Sequence, residues 1–431
     1  MIGILMFLTA LVLLLAGFPV AFTFGGTAVF FGLLAEGPRI FSLMPHRIYS
    51  IMNNTILMAI PLFIFMGIIL QKSKLAERLL ESMGSLFGEI RGGIAISTVL
   101  VGALLAASTG VVGASVVAMG VISLPVMLKY NYDKRLATGT ICAAGTLGQI
   151  IPPSIILIIL GDVFQQPVGD LFKAAFWPGM TLVLAYVIYI IAITVLKPRL
   201  APPVRLGKEH GNKRHQVMTA LKAIVPPLVL IVLVLGSILV GVATPTESAA
   251  VGGIGALILA ALYRQLTVKM TWDSASETVK ISAMVFAILI GATAFSMVFT
   301  YTGADYIVED FMLALPGEKW GFLIFSMIAI MALGFFIDFV EIAYIIVPIL
   351  APIADRLGID PLWYAIMVAM NLQTSFLTPP FGFSLFYLKG VAPPEVRTMD
   401  IYRGVAPFIV LQVIVLAILI LFPHTFGLSM H

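Results

Sequence analysis

Two stretches decide how this chain folds: Thr146–Ile155, TLGQIIPPSI, and Asn371–Phe383, NLQTSFLTPPFGF. Each lies inside one of the most apolar runs of the sequence and joins two adjacent prolines to a knot of polar side chains. A proline inside a helix removes one backbone donor and clashes with the carbonyl four residues earlier. In hydrocarbon each freed backbone group costs on the order of several kcal/mol. A break of this kind survives only where protein buries it or where it lines a cavity. The two stretches therefore predict two interrupted helices with freed carbonyls at their centres.

The rest of the composition places those helices in a bilayer. Of the 431 residues, 60% are hydrophobic and 11% charged, with a mean hydropathy of +1.09. A soluble domain carries about 25% charged residues. Apolar runs long enough for a span, about 20 residues, recur from end to end, so the reading is one all-α integral membrane domain. The net charge of +4 calls for no nucleic-acid partner. A single cysteine, Cys142, excludes a disulfide within the chain, and the five histidines show no metal-ligand spacing. No catalytic set and no bound cofactor is expected. The N-terminus is apolar from its second residue and lacks the basic start of a secretory signal, so it reads as a retained first helix.

Spans are expected at about 3–18, 20–35, 55–71, 137–160, 174–196, 223–242, 247–262, 281–300, 361–388 and 403–423. Two further apolar runs, 92–127 and 320–351, are too long for one span and have polar or glycine-rich middles, AASTGVVGAS and GFFIDFVEIAY. Each is expected to be a re-entrant helical hairpin. That gives about ten crossings. With the N-terminus outside, only Arg39, Arg47, Lys173, Lys319 and Arg356 of the 25 Lys and Arg residues fall on the outer side. Such a bias is the positive-inside signature. The basic stretch 197–215 then reads as a cytoplasmic linker.

The halves on either side of that linker look like copies. Pro152-Pro153 matches Pro379-Pro380, and Pro125 matches Pro352, both at an offset of 227 positions (379 − 152 and 352 − 125). Each hairpin follows a short amphipathic segment, KSKLAERLLESMGSLF or TGADYIVEDFMLALPG. In the first, Leu75, Leu79, Met83 and Leu86 fall on one helical face. Five crossings precede the linker, so the second copy is inverted. Inverted repeats with paired, interrupted helices are the pattern of a secondary transporter with its site at the interruptions. The first repeat is assigned to 1–196, with an arm at 72–88, the hairpin at 92–127 and the broken span at 137–160. A linker follows at 197–222. The second repeat takes 223–431, with its arm at 302–316, its hairpin at 320–351 and its broken span at 361–388.

The chemistry of the breaks follows from their atoms. Freed carbonyls and nearby hydroxyls are hard oxygen ligands suited to a dehydrated alkali cation. Helix N-termini at the same break point partial positive charge at an anion. A first cation site is expected at Ser108, Thr109, Gly113, Gly145 and Gln149, and a second at Asp338, Asn371, Thr374, Ser375 and Thr378. Ser115, Thr146, Pro152, Glu341, Gln373 and Pro379 are the expected substrate contacts. A lone Ser or Thr in a membrane helix also has a simpler reading, a hydroxyl bonded back to its own helix. Asp338 and Glu341 stand three residues apart and share a helical face. They can hold a cation or share a proton, or the tip opens to water and both are solvated.

The whole chain resembles the large membrane subunit of tripartite ATP-independent periplasmic (TRAP) transporters. The resemblance rests on LLLAGFPVAF, AASTGVVGASVVAMGVISLPVM, GTLGQIIPPS, ATPTESAAVG, GFFIDFVEIAYIIVPILAPI and NLQTSFLTPPFG. It implies sodium as the coupling ion, bound between hairpin tip and broken helix, and a carboxylate-bearing organic solute delivered by a periplasmic substrate-binding protein. It further implies a separate small four-helix membrane subunit, the bacterial inner membrane, and an elevator motion with the amphipathic segments as arms. A stand-alone anion carrier is the nearest rival. A membrane enzyme would need a catalytic or haem-ligating set that the sequence lacks.

Overall fold

A computed structural model of the protein describes residues 1–87, 90–110, 112–203 and 213–430. Every regular element among them is helical. The first half runs α1 (Ile2–Leu15), α2 (Val20–Glu36), a 3₁₀ stretch (Gly37–Leu43), α3 (Met44–Met52), α4 (Ala59–Lys72) and α5 (Leu75–Phe87). It continues through α6 (Gly93–Thr109), α7 (Val112–Lys129), α8 (Lys134–Thr146), α9 (Ile155–Val163) and α10 (Val168–Leu196). The second half runs α11 (Lys213–Leu239), α12 (Pro245–Leu262), α13 (Val268–Tyr301), α14 (Ala304–Leu313) and α15 (Lys319–Leu333). Then α16 (Phe339–Glu341) passes through a π-helical turn (Ile342–Ile346) into α17 (Val347–Arg356), followed by α18 (Pro361–Leu377), α19 (Phe383–Val391) and α20 (Thr398–Leu421).

Seven helical stretches among the described residues are long and apolar enough to cross a membrane alone. The protein is a multi-pass membrane protein. The ten expected crossings exceed seven because some come short or in pieces. Helices α1 and α4 have 14 residues each, about 21 Å at 1.5 Å per residue. The diproline spans cross as α8 plus α9 and as α18 plus α19. The expected ten counts those four as crossings and sets α7 aside as a hairpin arm.

Both expected hairpins form, and their open ends are tied. In the first (α6–α7), the Ile94 N–H donates to the Tyr132 hydroxyl at 3.3 Å. Burial pushes the Tyr132 phenol above its ordinary pKa, so it stays neutral there. The segment after α10 closes the same end, where the Asp133 N–H donates to the Leu200 carbonyl at 2.8 Å. In the second hairpin (α15–α17), the Lys319 ammonium reaches the Gly358 carbonyl at 3.3 Å.

The start of each broken span is fixed by an aspartate cap. The Asp133 carboxylate accepts from Arg135 N–H (2.9 Å) and Leu136 N–H (3.3 Å). Asp360 accepts from Trp363 N–H at 2.7 Å, with Pro361 at the first helical position. Such caps satisfy donors that a helix start otherwise leaves open. The two aspartates are themselves 227 positions apart (360 − 133), so the repeat extends to the caps.

The halves interlock. Helix α2 packs along α13 and α4 along α12, with small residues where backbones come close, as membrane helix pairs require. A Cβ built on Gly291 of α13 would lie 2.7 Å from the Ala21 carbonyl oxygen of α2. Helices α8 and α20 meet through Gly139 and Gly404, whose hypothetical Cβ atoms would strike the carbonyls of Gly404 and Arg135 respectively. The broken spans end up innermost: α18 is buried from Trp363 to Leu377 and α8 from Leu136 to Thr146.

That contact yields a stability prediction. Gly404→Ala must separate α8 from α20 and is expected to destabilise by about 1–3 kcal/mol. Gly236→Ala, in α11 with nothing near its added methyl, is expected to leave stability unchanged or slightly raised. Thermal unfolding of the two variants in detergent compares them directly.

Candidate functional site

The two breaks share a design. Beyond α8 a short 3₁₀ turn (Leu147–Gln149) leads into Pro152-Pro153, and α9 restarts at Ile155. Beyond α18 the chain passes Pro379-Pro380 and restarts as α19. Both diproline peptide bonds are cis. Each break is bridged by a serine from the following segment. The Ser154 hydroxyl donates to the Gln149 carbonyl at 2.7 Å, and the Ser384 hydroxyl to the Phe376 carbonyl at 2.8 Å.

Each hairpin tip sits on a break. At the first tip, Gly110 adopts φ +60°, and a Cβ there would come 3.0 Å from the Ile155 side chain at the start of α9. Gly113 lies under the Tyr387 ring of α19, whose carbons would be 3.0–3.3 Å from an added Cβ. Gly145 of α8 packs against Val116 of α7 with no room for a side chain. At the second tip, Gly334 faces Ser375 closely enough that a Cβ would collide with the serine side chain. Aromatic pairs seal this tip to its break, Phe336 with Phe381 (5.1 Å between centroids) and Phe339 with Phe376 (5.9 Å), while Phe376 and Phe383 (5.0 Å) pair across the break itself.

The expected site residues fall into three groups. Gly113, Gly145, Ser375, Asp338 and Glu341 stand at the tips or their contacts. Asp338 caps α16, its carboxylate accepting from Phe339 N–H at 2.7 Å. Glu341 is 5% exposed and its Oε2 has no hydrogen-bond partner. Gln149 is 1% exposed, and neither amide atom is hydrogen-bonded. Pro152 and Ser115 are buried, and Pro379 is half-buried.

The second group takes the simpler hydroxyl reading without losing the other. Thr146 donates to Ala143 (2.9 Å), Thr374 to Met370 (2.8 Å), Ser375 to Leu372 (2.7 Å) and Thr378 to Thr374 (2.7 Å). A hydroxyl that donates into its own helix keeps its lone pairs free to accept, so these oxygens remain competent cation ligands.

The third group points elsewhere. The Asn371 amide donates to the Met327 carbonyl at 2.6 Å. It thereby ties α18 to the arm of the second hairpin rather than to its tip. Asn371 opens on a cleft of about 320 Å³ with Met327, Ile328, Met331, Ala332 and Phe335. Gln373 is fully buried beside Tyr186 of α10, whose hydroxyl accepts from Gln412 Nε2 at 2.7 Å. The Ser108 and Thr109 side chains lie outside the described residues.

Sequence reasoning overlooked Ser384, Tyr186, Gln412 and Tyr387. Tyr387 touches the first tip through Gly113.

With this geometry in place, comparison with known proteins is informative. Residues 7–425 match the family "Tripartite ATP-independent periplasmic transporter, DctM component". The chain belongs to that family. It is similar to the C4-dicarboxylate TRAP transporter large permease protein of Pseudomonas aeruginosa, 32% identical over 380 residues, with 88% of this chain and 86% of the relative covered. It is also similar to the ectoine/5-hydroxyectoine TRAP transporter large permease protein of Ruegeria pomeroyi, 30% identical over 424 residues, covering 97% and 96%. Among solved structures, the Alcanivorax borkumensis YdaH transporter superposes with a TM-score of 0.64 at 15% identity, over 92% of this chain and 90% of that one. That likeness carries the fold alone. The protein is thus a transporter permease and not an enzyme.

The serine bridges give the permease a local test. Ser384→Ala leaves the buried Phe376 carbonyl without its hydroxyl donor. The expected loss is about 1–3 kcal/mol of stability, read as a lowered unfolding midpoint in detergent.

Proposed function

We propose that this permease imports a carboxylate-bearing organic anion, coupled to sodium, by an elevator motion. The observation that carries the reading is the pairing of each broken span with a hairpin tip at buried, polar positions. The inversion expected from five crossings before the linker would present these pairs in opposite orientation, as alternating access to one central site requires.

The ion sites follow the oxygens. Gly113, Gly145 and Gln149, with Ser108 and Thr109, form the proposed first sodium site. The unpartnered amide of buried Gln149 is the observation that favours a ligand there, since buried polar atoms are rarely left unpaired. Asp338, Thr374, Ser375 and Thr378 form the proposed second site, with Asn371 supporting α18 beside it. Ser115, Thr146, Pro152, Glu341 and Pro379 surround the proposed solute position, while Gln373 turns to Tyr186 of α10. A single charge moving down 100 mV contributes about 2.3 kcal/mol, so more than one sodium per carboxylate keeps uptake driven by voltage as well as by gradient.

The relatives' names supply the solute class, since one is a C4-dicarboxylate and another an ectoine permease. The family further supports two partners, a small four-helix membrane subunit and a periplasmic substrate-binding protein. The lysine and arginine bias supports a bacterial inner-membrane location with the N-terminus in the periplasm. The moving body is proposed to be the hairpins, the broken spans, α10 and α20, with α5 and α14 as arms.

The test is uptake by vesicles holding the permease and its small subunit, with the binding protein outside. Accumulation of radiolabelled carboxylate is expected only with an inward sodium gradient, and to collapse when potassium replaces sodium. Uptake that ignores sodium removes the coupling, and uptake that ignores the binding protein favours a stand-alone carrier. In the same vesicles Asp338→Asn is expected to raise the sodium concentration for half-maximal uptake about tenfold, the equivalent of about 1.4 kcal/mol.

A further inference from the structure

The hairpin tips and both diproline breaks carry no lysine, arginine or histidine. The basic residue that follows along α19, Lys389, donates to the Val396 carbonyl at 2.7 Å. The second tip meanwhile brings two carboxylates, Asp338 and Glu341. An anionic solute at this place must therefore be recognised by neutral donors, and the cation beside it must offset the acidic pair.

Tyr387 has the position and the atoms for that task. Its ring lies flat enough on Gly113 that any side chain there would push it away. It is 40% exposed, and its hydroxyl has no hydrogen bond to a described residue, unlike the neighbouring hydroxyls of Ser384 and Tyr402. Phenol oxygens donate one strong hydrogen bond, and the ring offers an apolar wall with little conformational entropy to lose.

We propose that Tyr387 is a specificity-determining contact of the solute site, its hydroxyl donating to the solute carboxylate while its ring, seated on Gly113, walls the site at the first hairpin tip. The assignment rests on the transport reading above and names the group that replaces a basic clamp. It also gives Gly113 a role besides sodium ligation. The absence of a Cβ lets the ring settle against the first tip, so solute and tip are read by the same side chain. The solute class that fits is a carboxylate with an apolar carbon next to it, held without a fixed cationic partner.

The experiment has two arms. In vesicles holding the permease, its small subunit and the binding protein, succinate and ectoine serve as labelled probes. Tyr387→Phe keeps the ring and loses the donor. It is expected to raise KM about 10- to 100-fold, the loss of a hydrogen bond to a charged group, with Vmax and the sodium concentration for half-maximal uptake unchanged. An unchanged KM overturns the proposal. So does a shift in sodium dependence in place of KM, which would make the phenol a support for the sodium site at Asp338. The second arm needs no solute. Tyr387→Cys, with the buried Cys142 replaced by Ala, is expected to react with an anionic methanethiosulfonate reagent in water, while Leu184→Cys on the outer face of α10 stays unreactive. No labelling at position 387 from either side of the membrane overturns the proposal even if neither probe is transported. Uptake independent of sodium would end the coupling reading and leave the judgement on Tyr387 to KM and labelling.

Discussion

Unpaired backbone groups are intolerable in hydrocarbon, and the architecture follows from where the two diprolines create them. The freed carbonyls at Gln149 and Phe376 each accept from a serine beyond the break. The remaining polar groups are hidden by placing α8 and α18 at the centre of the molecule. That placement has its own demands. Helix α8 reaches α20 only because Gly139 and Gly404 remove two side chains. The hairpin tips reach the breaks only because Gly110, Gly113 and Gly334 do the same. The glycine pattern is thus a consequence of the proline pattern.

The two breaks are copies in backbone and differ in lining. The first is surrounded by Ile150, Ile151, Ile155 and the unpartnered amide of Gln149. The second is packed in phenylalanines, against a tip that carries two carboxylates. An amide and carbonyls hold a cation without adding charge. A carboxylate holds one more tightly and leaves the net charge nearer zero when the ion is bound. The proposed pair of sodium sites is therefore unequal by construction.

Much of this was legible in the sequence because it is local or periodic. The diprolines, the offset of 227, the hairpins at 92–127 and 320–351, and the arms at 72–88 and 302–316 all carry signals a few residues long. The caps Asp133 and Asp360 obey the same offset and could have been found by extending it outward. Helix α3 was not foreseen, since its Met44–Met52 stretch reads as a polar loop with a proline. The contact of Gly113 with Tyr387 joins residues 274 positions apart (387 − 113) and belonging to different repeats, so no window of sequence contains it. Ser384 reaches a carbonyl eight residues back, outside any helical period. Asn371 and Gln373 were legible as polar residues in a broken span. Which way each side chain turns was set by the helices packed around them.

The boundary between the proposed moving body and the remaining helices is consistent with this economy of polar contact. Helix α4 meets α6, and α13 meets the π-helical turn of the second hairpin. Polar ties cluster at the ends. Asp162 of α9 accepts from Asn54 at 2.6 Å, and Asn54 also holds the Ile56 N–H at 2.9 Å. The Arg78 guanidinium of α5 lies 4.8 Å over the Tyr263 ring, and Arg356 pairs with Glu309 of α14. Under the proposed motion, the arms stay anchored by Arg78 and Arg356 while Asn54–Asp162 must separate. A hydrogen bond exchanged for water costs about 0.5–1.5 kcal/mol, small beside the drive of one sodium ion. Under the proposed elevator motion, a displacement that exchanges few polar contacts would stay within reach of an ion gradient.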